Sequence, residues 1–299
     1  IQTGVVTPTS YDLDKSITLQ ELFDKWTLRN HNDIKRVSMN TYKGAWKHLT
    51  TLPDMQVRDV RVRHIKGAIE DADCSPQYKQ RVKMALNQLF DYAIELELTD
   101  RNYARECRLS AKISKESDSL KKNHIAFTEE ELNILWKNTE NVYVRMILIQ
   151  CYSGWRPNEL CNLTINDINI IDWTMTGGSK TASGKNRIVP IHEKIKPFVK
   201  DMCEDAIKNN RNKIFYRGNK VITYFMYRDH FLELLPKLGL NINHRPHDPR
   251  KTFVTLGKKY NMDEYALKRI VGHKINDITE DVYTERDIEW LAKEINKIV

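Results

Sequence analysis

Apolar residues recur at helical spacing through the amino-terminal third of the chain. In the stretch TLQELFDKW, Thr18 and Glu21 have the spacing of a capping box, and the apolar residues that follow fall on one helical face. The same period returns over NTYKGAWKHL, VRDVRVRHIKGAIEDA and SPQYKQRVKMALNQLFDYAIELEL. After a polar lead-in over residues 1–15, this pattern predicts a small all-helical domain over residues 16–107.

A polar stretch, RLSAKISKESDSLKKNH, then interrupts the apolar period and predicts a linker over residues 108–124. Beyond it, Thr128 and Glu131 form a second capping box, and VYVRMILIQCYSG predicts a buried helix that ends at Gly154. The segments LTINDINIIDWTMTGG and SKTASGKNRIVPI alternate apolar with polar residues around glycine-containing turns, which predicts a short antiparallel sheet. Helical spacing resumes after this sheet. The chain is therefore predicted to be mainly α, with a mixed α+β second domain over residues 125–299.

Net charge and cysteine content indicate which kind of partner and which cellular compartment fit this chain. The chain has 48 Lys and Arg against 40 Asp and Glu, a net charge of +8 and a pI near 9.1, which favours an anionic partner such as nucleic acid. Its five cysteines form no C-x-x-C pair, so we expect a reducing cytoplasm and predict neither a metal nor a cofactor. No apolar run approaches the roughly 20 residues that span a bilayer. Because the chain begins at Ile1 and not at Met, we expect an upstream part to be missing.

The stretch RPHDPRKTF concentrates positive charge at one predicted helix start. Asp248 suits an N-cap and Pro249 suits the first helical position, which places Arg250 in the first turn. Unpaired N–H groups and the positive end of the helix dipole, with His247 and Arg250 beside them, would bind a phosphate. The alternative is a capped surface helix with solvated charges, because H-x-x-R is a short motif with many chance matches.

Four further residues are candidates, each weak by itself. Arg156 follows a predicted helix end, and Glu159 is one turn on, either as its orienting partner or as half of a purely structural ion pair. Lys180 lies in a predicted hairpin, where a lysine can protonate a leaving oxygen but usually only adds solubility. His273 follows another predicted helix end, and Tyr283 comes after it. A tyrosine is a nucleophile only when a base or nearby cations stabilise its developing charge, and otherwise it serves packing.

Five stretches together resemble the active-site boxes of tyrosine recombinases, also called phage-type integrases. In chain order they are SGWRPNEL, SKTASGKNRIVPI, HDPRKTF, VGHK and DVYTE. The resemblance covers essentially the whole chain, since the first domain looks like the family's core-binding domain and the second like its catalytic domain. TYKGAWKHL is similar to stretches in integrases of conjugative transposons and related integrative elements. Lys251 stands where relatives often carry a histidine, and Pro249 where leucine is common, but neither change removes a required group.

This resemblance implies the site residues Arg156, Lys180, His247, Arg250, His273 and Tyr283. The two arginines would clamp the scissile phosphate, the lysine would protonate the leaving 5′ oxygen, and the first histidine would assist proton transfer. The second histidine would support the phosphate, and the tyrosine would form a 3′-phosphotyrosyl bond. The implied function is DNA strand breakage and joining without metal or ATP, which integrates or excises a mobile element in a bacterial cytoplasm, at the nucleoid.

The resemblance also implies partners. Lys43, Lys47, Lys79 and Lys83 lie on the first domain's helices as candidates for contacts with double-stranded DNA, although a solvated helical face fits them equally well. The amphipathic end, IEWLAKEINKIV, resembles a terminal helix that docks on a neighbouring protomer, which implies a homotetramer on two DNA sites. Packing of this helix on its own subunit is the competing interpretation. Accessory DNA-bending or excision factors are implied as further partners.

Two other functions would use the same residues. A type IB topoisomerase would nick and reseal one duplex, and a non-catalytic DNA-binding protein of the same fold would lack at least one catalytic group. The integrase-like first domain favours recombination over the topoisomerase. None of the catalytic groups is missing from the sequence, which argues against the non-catalytic protein.

Overall fold

The computed structural model describes residues 16–111, 113, 115–116, 123–178, 184–274 and 287–299. Contacts divide the chain into two compact units, Ile1–Lys122 and Asn123–Val299. The fold is mainly helical with small antiparallel sheets, as the sequence predicts. In the described ranges, no helix is long and apolar enough to cross a membrane. The limits of the lead-in, the linker and the two domains given above stay predictions.

The described part of the first unit is helical. Its helices are α1 Leu19–Arg29, α2 Arg36–Trp46, α3 Val62–Asp71, α4 Pro76–Glu95 and α5 Tyr103–Glu106. The predicted capping box starts α1, because the Thr18 hydroxyl accepts from the Glu21 N–H at 3.2 Å and the Glu21 carboxylate accepts from the Thr18 N–H at 2.8 Å. The second helix begins one turn earlier than NTYKGAWKHL suggests, since the buried Met39 extends its apolar face toward the amino end.

Close aromatic packing joins the first two helices of this unit. The rings of Phe23 and Trp46 stack with centroids 4.1 Å apart, and the Trp46 indole N–H donates to the Gln20 side chain at 2.8 Å. At Gly44, a Cβ atom would lie 2.6 Å from the Tyr78 hydroxyl oxygen. The absence of a side chain there therefore allows α2 to approach α4 closely.

The second unit surrounds a larger apolar core. Its helices are α6 Glu129–Trp136, α7 Val142–Cys151, α8 Pro157–Asn162, α9 Lys196–Lys208, α10 Tyr224–Lys237, α11 Asp248–Lys259, α12 Glu264–Val271 and α13 Ile288–Ile295. The predicted sheet is present as β1 Ile168–Asn169, β2 Thr174–Gly177 and β3 Arg187–Pro190, all antiparallel in the order β1-β2-β3. A second hairpin, β4 Tyr216–Arg217 and β5 Lys220–Val221, lies where only helical spacing was expected.

Helix α7 is the central element of this core and sets the position of the turn that follows it. Nearly all its side chains are buried, and it packs against α11. Such an all-round apolar helix belongs inside a core. It ends at Cys151, three residues before the predicted stop at Gly154, whose φ of +68° is a left-handed conformation that suits glycine. A Cβ atom there would lie 2.6 Å from the Phe253 ring of α11.

The carboxyl-terminal helix α13 packs on its own unit. It contacts β3 and α12, and its apolar residues Leu291 and Ile295 are buried in the core together with Ile298. The imidazole Nε2 of His192 lies 2.7 Å from the Ile298 carbonyl oxygen, and its Nδ1 accepts from the Lys194 N–H at 3.1 Å. In the single chain the helix covers its own subunit, and docking on a neighbouring protomer stays a prediction.

Candidate active site

Arg250 lies in the first turn of α11, and its guanidinium group joins the ends of two other helices. Its two terminal nitrogens donate to the carbonyl oxygens of Gly154 and Val271, each at 2.6 Å. The residue is 8% exposed. Burial, followed by the positive charges of Arg156 and Arg187, lowers the pKa of Arg250 to about 9. Burial and the neighbouring cations therefore disfavour the positive charge of Arg250 in the free protein, and an anion bound here would stabilise that charge.

The start of α11 differs by one residue from the prediction. The N-cap position is His247 and the helix begins at Asp248, which was expected to be the cap. The buried Asp248 carboxylate instead accepts from the Arg245 N–H at 3.0 Å, on the upstream side, and faces the Nδ1 atoms of His124 at 2.7 Å and His244 at 3.2 Å. Asp248 thus holds the preceding loop, and with it the orientation of the helix start.

This loop is also tied to α6. The buried His244 ring stacks on Phe127 with centroids 3.8 Å apart, and its Nε2 lies 3.1 Å from both carboxylate oxygens of Glu131. The exposed His247 ring lies 5.6 Å from the ring of His124, centroid to centroid. The capping-box glutamate of α6 therefore also fixes the approach to the candidate phosphate site.

A buried glutamine links the two arginine-bearing turns. The side-chain nitrogen of Gln150 donates to the carbonyl oxygens of Trp155 at 2.9 Å and Pro246 at 3.3 Å. Its side-chain oxygen accepts from the Tyr227 hydroxyl at 2.6 Å. All the polar atoms of this fully buried side chain are thus engaged, as a stable core position requires.

Arg156 is the N-cap residue of α8, and Glu159 orients it. The Glu159 carboxylate accepts from Arg156 at 3.0 Å through one oxygen and from Arg187 at 2.8 Å through the other. Burial by itself would raise the pKa of Glu159, but the hydrogen bonds and charges of Arg187 and Arg156 outweigh it and lower the pKa. Glu159 is therefore an ionised carboxylate held between two guanidinium groups.

Arg187 is a residue of this cluster that sequence reasoning missed. It is the first residue of β3, and it is buried on the same side as Val189 while Ile188 between them is exposed. The strand alternation did contain a signal, since an arginine at an inward position of a predicted strand requires a buried partner. That partner is Glu159.

His273 lies at the edge of the cluster. It follows Gly272, where the predicted helix end is present, and the φ of +67° at this glycine ends α12 in a left-handed conformation. Partial burial of the ring, then the positive charges of Arg250, Arg156 and Arg187, lowers the pKa of His273. The ring is therefore neutral at pH 7 and can donate one hydrogen bond to a phosphate oxygen.

The remaining predicted residues divide into two groups. Lys180 and Tyr283 lie outside the described residues. On the first unit, Lys43 and Lys47 are exposed, whereas the half-buried Lys79 donates to the Glu70 carbonyl oxygen at 2.6 Å. The fourth lysine, at position 83, is half-buried. In the described ranges, no group of three or more His, Cys, Asp or Glu residues is arranged to hold a metal ion.

Together these contacts bring three guanidinium groups, a neutral imidazole and the start of α11 into one electrostatic site, in which the Glu159 carboxylate bonds two of the arginines. Burial and the positive charges of Arg156 and Arg187 lower the pKa of Arg250, burial and the charge of Arg156 lower the pKa of Arg187, and Glu159 opposes these effects only in part. Fixed cations of this kind bind the nonbridging oxygens of a phosphodiester and stabilise the extra negative charge of a pentavalent transition state. The site is therefore suited to phosphoryl transfer.

Known tyrosine recombinases are similar to this chain in sequence. Tyrosine recombinase XerA of Pyrococcus horikoshii is 26% identical over 182 residues, 58% of this chain and 60% of that protein. XerA of Saccharolobus solfataricus is 27% identical over 175 residues, 56% of this chain and 53% of that protein. The chain thus spans a little more than half the length of these two relatives.

Solved structures show the same fold. The Tn1549 transposon integrase in complex with a circular intermediate DNA superposes with a TM-score of 0.71 at 20% identity, over 95% of this chain and all of that one. A lambda integrase tetramer bound to a Holliday junction gives a TM-score of 0.67 at 17% identity, over 92% of this chain and 80% of that one. The model of the phage integrase family matches residues 119–289, more than half of the chain. The chain therefore belongs to the phage integrase family.

Proposed function

We propose that this protein is a site-specific DNA recombinase, which cleaves and rejoins DNA strands through a 3′-phosphotyrosyl intermediate to integrate or excise a mobile element. The observation that carries the proposal is the cluster of Arg156, Arg187 and Arg250, in which the first two bond the Glu159 carboxylate and all three lie close enough to influence the pKa of Arg250. The Tn1549 and lambda integrase structures contain DNA, which supports double-stranded DNA as the substrate here. We expect the protein to act in the cytoplasm.

In the proposed reaction, the two clamping arginines bind the nonbridging oxygens of the scissile phosphate. The Tyr283 hydroxyl oxygen attacks phosphorus, the bond to the 5′ oxygen breaks, and Lys180 gives its proton to that leaving oxygen. His247 assists the proton transfers by accepting the proton that the Tyr283 hydroxyl loses, and the neutral His273 donates to a phosphate oxygen. A 5′-hydroxyl from another strand then attacks the phosphotyrosine and restores a phosphodiester. The bond energy is kept in the covalent intermediate, so neither step requires ATP.

Chain connectivity supports the role of Tyr283. Lys274 and Ile288, on either side of it in the sequence, both border a cavity of about 400 Å³ that His273 and Arg187 also border. Tyr283 is five residues before Ile288, and an extended chain of that length reaches at most about 18 Å. Chain connectivity therefore allows the role that we propose for Tyr283.

We further propose that the active assembly is a homotetramer on two DNA sites, with accessory DNA-bending or excision factors. The lambda integrase tetramer on a Holliday junction supports this proposal. Because α13 packs on its own unit here, assembly through that helix requires it to leave the surface formed by β3 and α12. Exposed Lys43 and Lys47 are proposed as DNA backbone contacts, together with the less exposed Lys79 and Lys83.

The experiment that tests the proposal uses core-site DNA from the protein's own element with a nick that lets the cleaved 5′ fragment diffuse away. Wild type and Tyr283→Phe are compared on a denaturing gel, and Tyr216→Phe serves as the matched control because its ring keeps the contact with Arg211. We expect a covalent protein–DNA band in the wild type and the control, and none in Tyr283→Phe.

Other outcomes identify the alternatives. Binding of the core site without any covalent band in the wild type would establish a non-catalytic DNA-binding protein. A covalent band accompanied by relaxation of supercoiled DNA, but without joining of two duplexes, would identify a topoisomerase. Strand exchange between two labelled duplexes, seen as recombinant products, supports the recombinase.

A further inference from the structure

The side chain of Arg187 donates hydrogen bonds to three separate segments of the second unit. Its nitrogens contact the Glu159 carboxylate at 2.8 Å, the Ile270 carbonyl oxygen at 2.9 Å and the Gly184 carbonyl oxygen at 3.2 Å. We infer that Arg187 is a positioning residue for strand cleavage, which places the phosphate-binding Arg156 and His273 without touching DNA itself. This inference rests on the proposed function.

The first contact positions Arg156. Because Glu159 accepts from Arg156 through one oxygen and from Arg187 through the other, the carboxylate can turn only if one of these bonds is lost. The Arg187 guanidinium also lies over the Trp155 ring, 4.1 Å from its centroid. Arg187 therefore contacts both the residue before Arg156 and the residue that orients it.

The second contact positions His273. The last carbonyl groups of a helix have no partner within the helix, and α12 presents two of them to this cluster. Arg187 donates to the Ile270 carbonyl oxygen, and Arg250 donates to the carbonyl oxygen of the next residue, Val271. A Cβ atom on Gly272 would lie 3.0 Å from the Arg187 side chain, so the end of α12 rests directly on it. His273 is the next residue.

The third contact holds the base of the β2–β3 hairpin. Gly177 pairs with Arg187 in the sheet, and Gly178 has a φ of +101°. A Cβ atom on Gly178 would lie within 2.4 Å of an Arg187 guanidinium nitrogen and even closer to the Gly184 carbonyl oxygen. Lys180 lies between these two glycines in the sequence. Arg187 thus fixes the two described ends of the stretch that carries it.

Arg187 acts through these groups because its own nitrogens are already engaged. Its side chain is 3% exposed, and Nε and both terminal nitrogens each donate to a protein oxygen. A planar guanidinium fork can serve three acceptors in fixed directions, whereas the ammonium of lysine is a point charge on a flexible stem. The geometry of the fork, more than its charge, is what the three contacts require.

The test compares Arg187→Lys and Arg187→Gln with the wild type on the nicked core-site DNA. Arg211→Lys is the matched control, because Arg211 also bonds a carboxylate and a carbonyl oxygen and lies over a ring, at Asp205, Gly218 and Tyr216. DNA affinity and the single-turnover rate of covalent-complex formation are measured separately. We expect both Arg187 variants to bind the site within about 3-fold of wild type and to cleave about 100-fold more slowly, because misplacement of reacting groups by about 1 Å costs that much.

The pH dependence of the rate gives an independent readout. Removing the charge in Arg187→Gln removes one cause that lowers the pKa of His273, so the acid limb of its pH–rate profile should move to higher pH, while that of Arg187→Lys should stay closer to wild type. A role confined to folding would leave the profile of the folded fraction unchanged.

Each result decides between specific interpretations. An active wild type with an equally fast Arg187→Lys overturns the inference but leaves the proposed function intact. Equal slowing by Arg211→Lys, or failure of both Arg187 variants to fold in thermal melts, makes the residue structural and likewise overturns it. A wild type that forms no covalent complex overturns the proposed function, and the inference with it.

Discussion

Replacing Gly154 by alanine tests whether the turn after α7 is fixed by packing as well as by backbone conformation. The residue has φ +68°, and a left-handed conformation costs an alanine about 1–2 kcal/mol. The new methyl group would also lie 2.6 Å from the Phe253 ring and 3.0 Å from a Val271 methyl carbon. Forcing an extra carbon into a packed core costs about 1–3 kcal/mol. We therefore expect a loss of about 2–5 kcal/mol in the free energy of unfolding.

The matched control is Gly239→Ala, because Gly239 has the same φ of +68° but, apart from its chain neighbours, no described residue lies within 4 Å of its Cβ position. It should lose only the backbone part, about 1–2 kcal/mol. Both residues belong to the second unit, so urea unfolding of that unit compares them directly. Gly154→Ala should also cleave DNA more slowly, since the Gly154 carbonyl oxygen holds Arg250. Equal stability losses in the two variants would refute the packing argument.

Three further predictions concern charge. Glu159→Gln should lower the free energy of unfolding by about 3–5 kcal/mol, because it removes one partner of a buried ion pair. When core-site DNA is bound, its phosphate should supply the negative charge that Glu159→Gln removes, and the melting temperature of the variant should approach that of wild type. A melting temperature that does not recover with DNA would contradict the inference that the phosphate and Glu159 act on the same arginines. In wild type, the pKa of Glu159 is lowered from 4.5, so its stabilising contribution is full above that pH and is lost as the pH falls through the folded-state pKa. His192→Asn should lower hydrogen-exchange protection of α13 about 5- to 30-fold, the equivalent of about 1–2 kcal/mol, since the bond to Ile298 is lost. Burial lowers the pKa of His192 from 6.5, so wild-type protection should also decline as the pH falls below 6.5, and a flat profile would contradict this. Lys47→Ala should reduce the salt slope of DNA binding by about 0.9, whereas Lys79→Ala should mainly destabilise the first unit, because its ammonium group already bonds a carbonyl oxygen; filter binding at several salt concentrations and urea unfolding separate the two effects.

The features that could be predicted from sequence are those whose causes lie close together in the chain. The capping boxes at Thr18 and Thr128 and the stops at Gly154 and Gly272 involve residues within one turn of each other, so their spacing was sufficient. The hairpin β4–β5 escaped prediction because each strand has two residues, too few to show an alternation.

The contacts of the site could not be predicted in the same way, because their partners are distant in sequence. Asp248 was expected to cap its own helix, but the nearest hydrogen-bond partner of its carboxylate is His124, 124 residues away. The Arg187 contact with Ile270 spans 83 residues. The resemblance identified Arg156 and Arg250 from their motifs. Arg187 lies in the stretch SKTASGKNRIVPI, but there the resemblance assigned a role only to Lys180.

Through its hydrogen bonds, Gln150 connects the turns that carry Arg156 and Arg250 to the same helix, α7. One side chain holds the carbonyl of Trp155, next to Arg156, and the carbonyl of Pro246, four residues before Arg250. A displacement of α7 therefore carries both turns in the same direction, and the gap between the two guanidinium groups varies less than the position of either. The width of that gap must match a phosphate, whereas its place within the unit need not be constant. Substitutions elsewhere in the core can consequently shift the whole cluster while its internal spacing is preserved.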